Sequence, residues 1–65
     1  LSRNLSYASK ILFEAITNKK ITQIEHDKAS AILLLLNEPV IDTELVIVES
    51  LKNLLNFCKT NYLMQ

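Results

Sequence analysis

The sequence contains no glycine and no tryptophan, and only one proline and one cysteine among 65 residues. Without glycine no backbone can close tightly on a phosphate, which excludes a P-loop and a dinucleotide-binding fingerprint. A single cysteine cannot form a disulfide within the chain, and one cysteine with one histidine cannot build a zinc finger. Long hydrophobic runs are lacking too. The longest, residues 31–36, falls far short of the roughly 20 residues that span a bilayer, so no membrane partner is expected. No basic, apolar, small-residue order opens the chain, so no secretory leader is expected. A start at Leu1 rather than Met fits a trimmed N-terminus.

What is present is apolar surface. Hydrophobic residues make up 49% of the chain, too many for a disordered tail. Residues 1–65 read as a single all-α domain of three helices, over about 4–17, 23–36 and 43–61. In the first helix Leu1, Leu5, Ala8, Leu12 and Ala15 recur every three or four positions, and Ile11 and Ile16 widen the stripe. Ser2 or Asn4 can cap its start. In a chain without glycine, Asn18 is the expected left-handed cap at its end.

The second helix opens on Thr22 and Glu25, which have capping-box spacing. Its second half is apolar on nearly every side, the pattern of a helix buried between partners. Pro39 marks its stop. The third helix has Asp42 as its expected N-cap. Ile47, Leu51, Leu54 and Cys58 form one apolar stripe, and Val48, Leu51, Leu55, Cys58 and Tyr62 form another. Residues 40–48 are rich in β-branched side chains, and 45–48 could also read as a buried strand, but the pattern continues to Tyr62 and no second convincing strand offers a partner. The last residues, 63–65, are expected to fray.

Three short helices close only a small core. Each buried Leu or Ile contributes about 1.5–3 kcal/mol, and the surplus on the second and third helices calls for a further partner. A helical homodimer resolves it, with Leu34, Ile47, Val48, Leu51, Leu55 and Cys58 as the expected interface. Leu51→Glu or Leu55→Glu would then break the oligomer or unfold the chain. A monomer holding a partner's amphipathic helix, as a binding module or small chaperone, is the alternative.

Catalysis finds no support. A nucleophile, base and oxyanion donors do not converge anywhere in the pattern, and no catalytic, metal or cofactor residue is expected. Cys58 reads as a small buried hydrophobe. His26, between Glu25 and Asp27, reads as part of a solvated first helical turn, because neighbouring helix positions point in different directions. Glu38, Asp42, Glu44 and Glu49 cap and balance the third helix, and form a candidate docking patch for a basic partner. Tyr7, Phe13, Phe57 and Tyr62 read as core or interface. The basic residues are scattered. Residues 1–20 carry Arg3, Lys10, Lys19 and Lys20 against Glu14, which leaves Lys19 and Lys20 as candidate nucleic-acid contacts of a DNA-associated regulator.

The layout resembles a known group. An apolar helix runs into Leu35-Leu36-Asn37-Glu38-Pro39-Val40-Ile41-Asp42, with two acids four apart, and a last helix carrying Leu51, Leu54 and Leu55 follows. This is similar to the YmgB/AriR group of small enterobacterial biofilm and acid-resistance regulators. The resemblance implies a cytoplasmic helical dimer without catalytic residues. Such a protein acts as a connector, touching a response regulator or a transcription regulator.

Overall fold

The computed structural model describes residues 2–34 and 41–64, with side chains from residue 4 onward in that range. Three helices fold as α1 (Ser2–Asn18), α2 (Gln23–Leu34) and α3 (Asp42–Tyr62). The β-branched stretch at 45–48 is helical, inside α3. The expected end of the second helix at 36, the Pro39 stop and Glu38 lie outside the described residues.

Every helix packs against the other two. α1 supplies Leu5, Ala8, Ile11, Leu12 and Ala15 to the core, and α2 supplies Ala29 and Leu33. α3 supplies Val48, Leu51, Leu55 and Cys58. Their spacings of three and four place each set on one helix face, so three stripes meet along a common axis. The small Ala8, Ala15 and Ala29, all fully or nearly fully buried, let the backbones approach closely. α2 is more one-sided than its composition suggests. His26, Ala29 and Leu33 are buried, while Ile24 and Leu34 face solvent. It is a surface helix, because only one of its faces has a neighbour to cover it.

The ends of the helices depart from expectation in physical detail. α1 continues through Asn18, and Lys19 takes the left-handed conformation at φ 56°. The Lys20 N–H then reaches back to the Ala15 carbonyl at 3.1 Å, the long-range bond of a Schellman turn. Residue 19 stands where the chain must reverse, so the strained geometry falls there whatever the residue type. α2 opens on the full capping box. The Thr22 N–H and hydroxyl donate to Glu25 Oε1 at 3.0 and 2.8 Å, and the Glu25 N–H donates to Thr22 Oγ1 at 3.1 Å. These bonds hold the Glu25 carboxyl below its ordinary 4.5, the backbone N–H of Thr22 contributing most and its hydroxyl next.

α3 starts one residue earlier than its acidic residue implied. Ile41 is the N-cap, with extended backbone, and Asp42 is already helical. Isoleucine has no side-chain acceptor, so only half of a capping box forms: the Ile41 N–H donates to Glu44 Oε1 at 3.4 Å. Asp42 and Glu44 still sit in the first turn, where the helix dipole favours negative charge.

The C-terminal residues are tied down. The Ile21 N–H donates to the Tyr62 carbonyl, and the Met64 N–H donates to the Ile21 carbonyl, each at 2.9 Å. Ile21 and Leu63 thereby form an isolated parallel bridge. Ile21 is almost fully buried and Leu63 packs against the core. The bridge joins the α1–α2 turn to the end of α3, so α1 and α3 run the same way and α2 returns between them. Leu63 is held through its side chain against the core and Met64 through its N–H, while the Met64 side chain is exposed.

Candidate functional site

The six residues expected at an oligomer interface divide into two groups. Val48, Leu51, Leu55 and Cys58 lie inside the chain's own core. They belong to the stripe of α3 that faces α1 and α2, so in the folded monomer the chain's own helices already cover most of their surface. Leu34 on α2 and Ile47 on α3 remain exposed. Burial also raises the Cys58 thiol above its usual range, as expected for a wholly enclosed small hydrophobe.

Ile47 faces an open groove between α1 and α3 of about 470 Å³. Leu5, Ser6, Ser9, Lys10 and Phe13 form its α1 wall, and Glu44 and Ile47 form its α3 wall. Phe13 is 56% exposed and Ile47 49% exposed. These two side chains border the groove, each about half uncovered among the described residues. Lys10 lies on one wall and Glu44 on the other, so the groove is apolar at its centre and carries one charge of each sign.

The aromatic residues were expected in core or interface. Tyr7, Phe13 and Phe57 are exposed, and Tyr62 is half-buried against the core. Phe57 and Tyr62 meet edge to face with centroids 5.5 Å apart, a favourable aromatic geometry. The acidic set does not gather. Asp42 and Glu49, seven apart, share one face of α3, while Glu44 turns into the α1/α3 groove. Lys19 and Lys20 are both exposed. Lys20 shares a hollow with Glu14, Glu25 and Met64, so two carboxylates stand beside its charge.

One grouping was missed entirely. His26, read as part of a solvated turn, is 8% exposed, and its Nε2 has no hydrogen-bond partner among the described residues. It lines a cleft between α2 and α3 with Ser30, Leu34, Lys52, Leu55, Asn56 and Lys59. The signal was in the spacing. His26 and Ser30 are four apart, and Lys52, Asn56 and Lys59 follow at four and three. Pairing of the two helices brings the α2 residues His26 and Ser30 against the α3 residues Lys52, Asn56 and Lys59. Among the described residues no cluster of histidine, cysteine and carboxylates could hold a metal ion, and no helix is long and apolar enough to cross a membrane.

No family model, no curated protein and no solved structure matches this chain.

Proposed function

We propose that the protein is a non-enzymatic interaction module that acts by protein–protein contact, as a homodimer assembled through the α1/α3 groove. The observation that carries this reading is the pair Phe13 and Ile47, both about half exposed on facing walls of one groove. Burying such side chains is worth about 1.5–3 kcal/mol each, and the folded monomer leaves much of that unrealised. A second copy is the proposed occupant: a two-fold axis running along the groove sets α1 of one copy over α3 of the other, so the same apolar walls are covered on both copies.

In this reading the dimer serves as a small regulator or connector in bacterial signalling or transcription, the role suggested by the YmgB/AriR resemblance. Its further partner would be a response regulator or transcription regulator. Asp42 and Glu49, exposed on one face of α3 two turns apart, supply a docking surface for a basic partner. Cytoplasmic placement belongs to the same proposal. The second reading, a monomer that receives a partner's amphipathic helix, uses the same groove and differs in who fills it.

Light scattering after gel filtration, over a range of concentrations, tests the proposal. The expected mass is twice the 7.4 kDa of the chain. Ile47→Glu and Phe13→Glu should each give a monomer of unchanged helix content, since both sites are exposed. A wild-type monomer at every concentration overturns the dimer and leaves the helix-binding reading.

A further inference from the structure

The cleft between α2 and α3 lies on the opposite flank of α3 from the α1/α3 groove, and it has a different chemistry. Its volume is about 270 Å³. Lys52 and Lys59 are seven residues apart on α3, roughly 10 Å along the axis. Asn56 stands between them, and four-carbon stems let both ammonium groups reach its level. Ser30 and His26 line the facing wall on α2. No acidic side chain is among the described residues that line the cleft.

His26 supplies the second observation. Its ring is enclosed, and Nε2 meets neither a donor nor an acceptor among the described residues. A buried polar nitrogen without a partner costs stability, and such groups commonly mark a site or a missing bond. A turn of the ring that brought Nε2 toward the cleft would let a bound oxygen remove that cost. Two ammonium groups, an amide and a hydroxyl around one small space are donors suited to a compact, multiply charged oxyanion.

We propose that this cleft binds the phosphate group of a small phosphate monoester. Lys52 and Lys59 supply the charge, Asn56 and Ser30 donate to the phosphate oxygens, and His26 closes the inner end. The cleft is a fold between two packed helices rather than a broad basic surface. It therefore suits a phosphoryl group on a small molecule better than the backbone of a nucleic-acid duplex.

The test is a titration of the ¹⁵N-labelled full chain with inorganic phosphate and with phenyl phosphate at constant ionic strength, followed by NMR. Sodium acetate and sodium chloride serve as controls. Saturable shifts are expected at Ser30, Lys52, Asn56, Lys59 and the His26 imidazole. Lys52→Gln and Lys59→Gln should each weaken binding about tenfold, the loss of one charge-assisted contact. Both lysines are exposed, so the variants keep the fold. The proposal is overturned if neither phosphate saturates below about 10 mM, if the lysine variants bind as well as the parent, or if acetate and chloride give the same shifts. Binding of a single-stranded oligonucleotide without binding of either phosphate also overturns it, and would assign the lysines to a nucleic-acid surface.

Discussion

Lys19 carries the only positive φ among the described residues. A side chain with a Cβ is disfavoured in that conformation by about 1–2 kcal/mol, while glycine enters it freely but loses more entropy on folding. The balance favours glycine here. Lys19→Gly should stabilise the protein by about 0.5–1 kcal/mol and raise the melting temperature by a few degrees, read by thermal denaturation. Cys58 makes the opposite kind of prediction. Its thiol is enclosed and held in the protonated form by burial, whereas alkylation needs the thiolate. Iodoacetamide should label it no faster than the chain opens, and labelling should become rapid in denaturant. Fast labelling under native conditions would show that α3 separates readily from its neighbours.

At the scale of the element, the α2 capping box couples stability to pH. The Glu25 carboxyl is held below its ordinary value by Thr22. A carboxylate depressed in the folded state contributes stability that is complete above its unfolded value near 4.5. That contribution is lost as pH falls through the lower folded value. Glu25→Gln should therefore flatten the acid side of the stability profile, while changing neutral-pH stability only modestly at so exposed a site. Denaturant titrations of parent and variant between neutral and acidic pH measure the difference. The bridge at Ile21 makes a second prediction. Amide exchange should protect Ile21 and Met64, both outside the helices but hydrogen-bonded across the chain. Met64→Pro removes one donor and should cost about 1 kcal/mol.

At the scale of the molecule, the core and the proposed interface can be separated by mutation. Leu51 is 3% exposed at the meeting of the three helices, and a carboxylate there is buried without a partner. A domain of this size has only a few kcal/mol to lose. Leu51→Glu should abolish the helical signal in circular dichroism, whereas Ile47→Glu should retain it and change only the mass. Loss of helix in both variants would place Ile47 in the folding core instead. The opposite flanks of α3 also act separately: substitutions at Lys52 should not alter oligomeric mass, and substitutions at Phe13 should not alter phosphate binding.

The three helices were legible in the sequence because they depend on neighbours three and four residues away. The stripe of Leu5, Ala8, Leu12 and Ala15 and the pair Thr22 and Glu25 are complete within their own segments, so periodicity and hydrogen-bonding capacity suffice to locate them. The apolar surplus was legible for the same reason. Its location was not. α3 carries more apolar positions than one face can hold, and which of them are buried depends on where α1 and α2 lie. Packing took Val48, Leu51, Leu55 and Cys58 inward and left Ile47 at a groove edge. Tertiary structure alone decided the burial of His26, its convergence with Lys52 and Lys59, and the Ile21–Leu63 bridge. Each joins residues from different segments. Such contacts follow from the pairing of elements in space, which local periodicity does not encode.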